Sequence, residues 1–214
     1  AARLGVGEPV LFRVGSNALF TVGDDAVLRV GHFTAAPAAA VALATVLTGT
    51  GVRVPAVRAV LDDLDEHLGV IVVDRIRTVD RPVDWAAVGD AIGRVHALAP
   101  GRVAALHPLP SCAVIGHWRF SALFDDVVPD LGAAERSALA TAVDRVSTWR
   151  ETAAAAPQVV CHGDVHPGNV LMSADGPVVI DWDMVCAAPA AWDHAALLTW
   201  EERWGGAPGL YASF

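Results

Sequence analysis

The sequence predicts an α+β protein of two lobes, a small antiparallel-sheet N-lobe followed by a mainly helical C-lobe. Three observations predict it. The first 73 residues are dominated by short β-branched runs punctuated by Gly and Asp. After Asp74-Arg75-Ile76 the apolar residues change from alternation to helical spacing. A loop dense in polar groups, His162-Gly163-Asp164-Val165-His166-Pro167-Gly168-Asn169, then lies among short apolar runs of the second half.

Residues 8–31 read as successive hairpins. Strands are expected at Val10–Val14, Leu19–Val22 and Ala26–Val30, with turns at Gly15-Ser16-Asn17 and Gly23-Asp24-Asp25. Residues 35–48 are Ala-rich with Val and Leu at helical spacing, and Gly49-Thr50-Gly51 stops that helix. Two further strands are expected at Val57–Leu61 and Leu68–Val73, joined by an acidic turn, Asp62-Asp63-Leu64-Asp65-Glu66. In the second half, Pro82–Ala99 places Val88, Ile92, Val95 and Leu98 near one helix face, and Pro100-Gly101 ends it. Residues 105–117 read as loop, and helical patterns occupy 117–128 and 133–156. Val159-Val160-Cys161 reads as a short strand entering the His162 loop. Val170-Leu171-Met172 and Val178-Val179-Ile180 form a hairpin across Ser173-Ala174-Asp175-Gly176, where Asp-Gly is a strong turn signal. Residues 190–204 read as one helix with an aromatic stripe of Trp192, Trp200 and Trp204, and the tryptophans are expected in the core. The expected organisation is a lobe of residues 1–73, a hinge at 74–76 and a second lobe of residues 77–214.

A chain of 214 residues with 54% hydrophobic residues can bury a sizeable core. Its mean hydropathy is +0.43, yet the apolar stretches are too short or too interrupted to span a bilayer. The start, Ala1-Ala2-Arg3-Leu4, has no signal-peptide apolar segment, and its lack of Met points to a shortened N-terminus. Cys112, Cys161 and Cys186 are odd in number and form no C-x-x-C pair, which reads as reduced thiols in a cytoplasmic protein. A net charge of −9 argues against nucleic acid or an anionic membrane as a main partner. All fifteen positive charges are Arg.

The His162 loop carries the chemistry. Asp164 is followed five positions later by Asn169, and Asp181 ends the next apolar run in Val178-Val179-Ile180-Asp181-Trp182-Asp183. Asp and Asn supply hard oxygen ligands suited to Mg²⁺, and the remaining Asp can accept a proton from a hydroxyl. On these residues the chain resembles the aminoglycoside phosphotransferase/choline kinase-like family of small-molecule kinases. The resemblance covers about residues 8–204 and implies a protein-kinase-like bilobal fold. It also implies a phosphotransferase that moves the γ-phosphate of ATP or GTP, with Mg²⁺, to a hydroxyl of a small molecule. An aminoglycoside-like antibiotic, and hence antibiotic resistance, is one such acceptor; choline, sugars and other hydroxylated metabolites are others.

By that resemblance Asp164 is the catalytic base, and Asn169 and Asp181 hold the metal. His162 braces the loop, and Asp193 buttresses it. Ser16 and Asn17 lie where the family covers the nucleotide phosphates, and Arg29 stands in the place of the kinase strand Lys. Asp74 and Ile76 flank the hinge, whose backbone would read the base. His96 is expected to be a packed structural residue. One departure stands out. The family orients the strand cation with a Glu from the following helix, but residues 33–61 contain no acidic residue, and the expected position falls near Ala40. Arg29 then needs another carboxylate, for which Asp181 is a candidate, or the small lobe is catalytically slack. Relatives also continue beyond Trp204, so part of the acceptor wall is expected to be missing or supplied by a partner.

Two rival functions remain open from sequence. A nucleotide-binding pseudokinase-like module is favoured by the missing helix Glu and opposed by the intact Asp164/Asn169/Asp181 set. A zinc hydrolase could use His162, Asp164 and His166 as alternating ligands if they lay on a strand. Asp183, Glu201 and Glu202 are candidates for meeting a cationic acceptor, although surface charge is their simpler reading.

Overall fold

The computed structural model describes residues 7–15, 17–65, 68–114 and 120–214. Three strands open the chain: β1 (Pro9–Val14), β2 (Asn17–Val22) and β3 (Ala26–His32). Helix α1 (Pro37–Gly49) follows, then β4 (Val57–Asp65) and β5 (Leu68–Asp74). The five strands form one antiparallel sheet in the order β1-β2-β3-β5-β4. β3 is therefore hydrogen-bonded on both sides, with Arg29 opposite Leu19 and Ile71. Strand alternation sends Leu28 into a cluster with Val22, Ala26, Val70 and Val72, and turns Val27 and Arg29 to the opposite face, which lines a cleft.

The rest of the chain is mainly helical: α2 (Trp85–His96), α3 (Pro100–Ala104), α4 (Phe120–Val127), α5 (Ala133–Arg145), α6 (Trp149–Ala155), α7 (Ala191–Leu198), α8 (Trp200–Trp204) and α9 (Leu210–Ser213). Between α6 and α7 lie two short antiparallel pairs. One joins β6 (Val159–Cys161) to β9 (Cys186–Ala188), and the other joins β7 (Val170–Ser173) to β8 (Gly176–Val179). No helix among the described residues is long and apolar enough to cross a membrane.

Helix α2 is the axis of the second half. Asp84 caps its start by accepting from Ala87 N at 3.0 Å. Val88, Ile92 and Val95 are fully buried along it, as their spacing predicts. Two cores meet on this helix. Val95 and Ala91 pack with Leu43 and Leu47 of α1, Val160 of β6 and Val185. Val88 and Ile92 pack with Val165 of the His162 loop, Val170 and Leu197. The same helix thus ties the sheet-bearing half to the loop and holds that loop from beneath.

Several boundaries differ from the sequence reading. The acidic segment expected as a turn continues β4 as far as Asp65, which pairs with Leu68. β4 is an edge strand, where charged residues are tolerated. The helix expected over 133–156 breaks into α5 and α6. The run Arg145-Val146-Ser147-Thr148 holds β-branched residues and Ser, which favour leaving the helix. The Pro100-Gly101 pair does not only follow a helix end; Pro100 opens α3, where its missing N–H costs nothing. The helix expected over 190–204 breaks at Thr199 into α7 and α8. Its tryptophans do not form one buried stripe. Trp192 stacks on Trp149, Trp200 stacks on His166, and Trp204 is 64% exposed.

Because Ile92 is wholly buried where the loop rests on α2, Ile92→Ala should cost about 2–5 kcal/mol of unfolding free energy. Denaturant titration monitored by circular dichroism measures it, and a cost under about 1 kcal/mol would show that α2 is not the support described.

Candidate active site

The loop from His162 to Asn169 is built on its own backbone and on one buried carboxylate. Asp193 in α7 accepts from His162 N at 3.0 Å and from Gly163 N at 2.8 Å. His96 Nε2 donates to the same carboxylate at 2.9 Å, and the Asp193 side chain has no exposure. Gly163 has φ +90°, and a Cβ there would collide with the Met184 carbonyl, so only Gly fits this turn. The His162 ring is fully buried. Its Nε2 donates to Ile180 O at 3.0 Å and its Nδ1 accepts from Asp164 N at 3.2 Å. Val165 is buried below, so its neighbours Asp164 and His166 face the cleft.

Asp164 is held from two sides. Asn169 Nδ2 donates to Asp164 O at 2.9 Å and to Asp164 Oδ2 at 3.2 Å. His166 Nε2 lies 3.4 Å from the same carboxylate oxygen, and Gly168 N donates to His166 Nδ1 at 3.0 Å. The His166 ring stacks on Trp200, with centroids 5.4 Å apart and planes 8° from parallel. Burial pushes the Asp164 carboxyl up, but the hydrogen bond and charge of His166, with help from His162 and Asn169, outweigh it and hold it below its ordinary value. Asp164 is therefore a carboxylate at neutral pH. Asn169 is buried, and with its amide N–H groups turned to Asp164 its Oδ1 remains as the ligand atom.

Across the cleft stands an ion network. Arg29 donates to Asp181 Oδ1 at 3.1 Å and to Asp183 Oδ2 at 2.7 Å. Asn17 Nδ2 donates to Asp183 Oδ2 at 3.2 Å, and the Thr34 hydroxyl donates to the Asp183 carbonyl. Asp181 has φ +63°, the one positive φ outside Gly among the described residues. Backbone strain of this kind persists where surrounding contacts fix it. Burial pushes the Asp181 carboxyl up; Arg29 pulls it down, and the nearby charges of Asp183 and Asp164 push it up again, leaving it above its ordinary value. A cation among these carboxylates relieves that repulsion, so the donor set fits a hard divalent ion.

The structure brings Asn17, Arg29, Asp74, Ile76, Asp164, Asn169 and Asp181 to one cleft of about 690 Å³. Ser16 lies outside the described residues. Val27, Ile71, Val73, Leu171 and Ile180 give the cleft an apolar slot beside Asp74 and Ile76. Asp74 Oδ1 accepts from Arg58 at 2.5 Å, and the Asp74 N–H donates to Ala56 O at 2.9 Å, so that N–H is already taken. Arg29 finds its carboxylates not on α1 but on the Asp181 segment, the alternative that the acid-free helix had left open.

Two corrections follow. His162, Asp164 and His166 do not form a zinc site: both ring nitrogens of His162 are spent on backbone groups, and the loop is not a strand. Asp183 is not surface charge; it is part-buried against Arg29 and Asn17. Trp182 lies edge-on to His162 at 4.5 Å and donates to Val179 O, so it braces the loop from above as well as lining the cleft. Sequence reasoning also missed His107, a buried histidine at the cleft wall. Burial holds its pKa below the ordinary imidazole value, against the pull of the Pro108 carbonyl and Asp183. Nothing in its Leu-His-Pro context signals this.

Comparison with known proteins agrees with this geometry. The family model described as "Phosphotransferase enzyme family" matches residues 12–212. The chain belongs to this phosphotransferase family, a class of small-molecule kinases with a protein-kinase-like fold. No curated protein sequence matches it significantly. Among solved structures it is similar to a thermostable mutant of aminoglycoside phosphotransferase APH(4)-Ia in ternary complex with ADP and hygromycin B. The TM-score is 0.67 at 16% identity, over 94% of this chain and 75% of that one. It is also similar to the GDP complex of aminoglycoside 2'-phosphotransferase-IIIa, with TM-score 0.67 at 15% identity, over 91% of this chain and 72% of that one. The AMP-bound spectinomycin phosphotransferase APH(9)-Ia aligns with TM-score 0.57 at 14% identity, over 98% of this chain and 74% of that one.

Removing the carboxylate in Asp193→Ala would leave three N–H groups without their acceptor, that of His162 fully buried and those of His96 and Gly163 part-buried. The expected cost is about 3–5 kcal/mol. Chemical denaturation tests it; a cost near zero would mean that water or another group replaces Asp193.

Proposed function

We propose that this protein is a nucleotide- and Mg²⁺-dependent O-phosphotransferase that moves a γ-phosphate from ATP or GTP to a hydroxyl of a small molecule. The observation that carries the reading is the convergence of Asp164, Asn169, Asp181 and Arg29 on one cleft between a sheet and a helical base, in a chain of the phosphotransferase family. In this reading the sheet lobe takes residues 1–73, the hinge 74–76 and the helical lobe 77–214. The apolar slot by Ile76 accepts the base, and backbone groups of 74–76 other than the Asp74 and Arg75 N–H groups read its edge.

Each side chain has a task. Asp164, ionised and fixed by Asn169 and His166, orients the acceptor hydroxyl and takes its proton. Asn169 Oδ1 and the Asp181 carboxylate would hold Mg²⁺, which when bound offsets charge on the phosphate oxygens. Arg29 offers a fork to those oxygens, and Ser16 and Asn17 lie at the turn expected to cover them. The acceptor is a small hydroxylated compound, with aminoglycosides the first class to try because structurally similar proteins carry hygromycin B and kanamycin. Antibiotic resistance and a cytoplasmic setting belong to the same reading.

A screen of Mg²⁺-nucleotide consumption against aminoglycosides, macrolides, choline-like amines and sugars tests the proposal. Nucleotide binding without turnover on a broad hydroxyl panel would favour the pseudokinase-like module instead. Asp164→Ala should lower turnover on the order of 10³-fold with nucleotide affinity nearly unchanged; full turnover would remove Asp164 from the mechanism. Asp181→Ala should weaken Mg²⁺-nucleotide binding roughly 10- to 100-fold, read by calorimetry. Unchanged affinity would count against its metal role.

A further inference from the structure

Arg29 is the one cation on the central strand facing the cleft, and the helix beside it has no acid to hold it. Helix α1 runs Pro-Ala-Ala-Ala-Val-Ala-Leu-Ala-Thr-Val-Leu-Thr-Gly, and its cleft-lining residues Ala40, Leu43, Ala44 and Leu47 are all apolar. An Arg side chain carries several rotatable bonds, and without an anchor its fork has no fixed aim. Two carboxylates reach it. Asp181 is the farther, at 3.1 Å, and its oxygens are the ones that a metal would claim. Asp183 is the nearer, at 2.7 Å, and the pair is part-buried, with side-chain exposures of 17% for Arg29 and 22% for Asp183.

Asp183 is itself held by the sheet half of the molecule. Asn17 on β2 donates to the same Oδ2, and Thr34 after β3 donates to the Asp183 carbonyl. Phe33 lies under the Arg29 guanidinium at 5.4 Å from its centroid and closes the other side. Asn17, Arg29 and Thr34 thus converge on one residue of the opposite half.

We propose that Asp183 is the positioning residue for Arg29, supplying from the Asp181 segment the carboxylate that α1 lacks, and that it acts on nucleotide phosphates only through Arg29. The proposal rests on the nucleotide-binding reading above. It has a structural consequence of its own. When a metal takes Asp181, Arg29 keeps one carboxylate and stays aimed, so metal and Arg29 need not compete for the same oxygen.

The test is a double-mutant cycle with Arg29→Ala and Asp183→Asn on the full chain. Affinity for ADP and GDP is measured by calorimetry, once in EDTA and once with Mg²⁺. Asp183→Asn should weaken binding on the order of tenfold in both conditions. In the Arg29→Ala background it should add no further loss, a result that a merely structural residue would not give. Equal losses in both backgrounds, or a loss seen only with Mg²⁺, would overturn the proposal; the second result would make Asp183 a metal ligand. The same cycle read by thermal unfolding without nucleotide should show coupling between the two residues, and strict additivity would also overturn it. Wild-type protein that binds neither nucleotide refutes the phosphotransferase reading, while the unfolding cycle still decides whether Asp183 holds Arg29.

Discussion

One buried carboxylate sets the geometry of the cleft. Asp193 accepts N–H groups from His162, Gly163 and His96, and no part of its side chain reaches solvent. A carboxylate buried this way is costly unless its oxygens are satisfied, and here three donors converge on it. The consequence runs outward. With the His162 and Gly163 amides pinned, the His162 ring is free to bridge Asp164 N and Ile180 O, which fixes the loop against the strand leading to Asp181. Asn169 O accepts from Ile180 N at 2.9 Å and adds a second tie. The distance between the Asp164 side and the Asp181 side of the cleft is therefore set by the buried His162 ring and by backbone groups of the loop and strand.

The exposed ends of this frame are electrostatically poised. Asp164, Asp181 and Asp183 crowd one region, and Asp181 is pushed up by burial and by its acidic neighbours even with Arg29 beside it. Asp164 escapes that fate because His166 and Asn169 donate to it. The two carboxylates are thus driven apart in proton affinity by their surroundings, the pattern expected where one group handles a proton and the other meets a cation. The positive φ of Asp181 belongs to the same account. The backbone turns sharply so that Asp181 and Asp183 both reach Arg29 while Trp182 packs on His162 between them.

Much of this was legible in the sequence because it is written in local patterns. Alternating β-branched residues between Gly-Asp turns predicted the first three strands, and the spacing of Val88, Ile92 and Val95 predicted the buried face of α2. The polar loop and its distances to Asn169 and Asp181 are local as well. What sequence did not show are contacts made across long separations. Nothing in Trp182-Asp183-Met184 says that Asp183 turns 154 positions back along the chain to Arg29. Nothing in Ala105-Leu106-His107 says that this histidine is buried at the cleft wall. The breaks at 146–148 and Thr199 were missed for a different reason: helical spacing persists through them, while the weak helix formers that end each helix act over only a few residues.

Where the cleft can change shape follows from what holds it. The two halves are not joined by a hinge alone. Leu43 and Leu47 of α1 share a core with Val95 of α2 and Val160 of β6, Val179 N donates to Arg53 O at 3.0 Å, and Asp183 is gripped from β2, β3 and Thr34. Rotating one half against the other would break all of these together. β1 has no such support. It pairs only with β2, its register slips at Phe12, and Val10, Leu11, Phe12 and Val14 are 57–69% exposed. An edge strand with one neighbour and little burial has the lowest local stability in a sheet. Phe12, Arg13 and Gly15 also line the cleft. β1 is therefore the least supported wall of the cleft, while β2, paired to β3 along its whole length and tied through Asn17 to Asp183, and Arg29, on a strand paired at both edges and clasped by Asp183, are held in place.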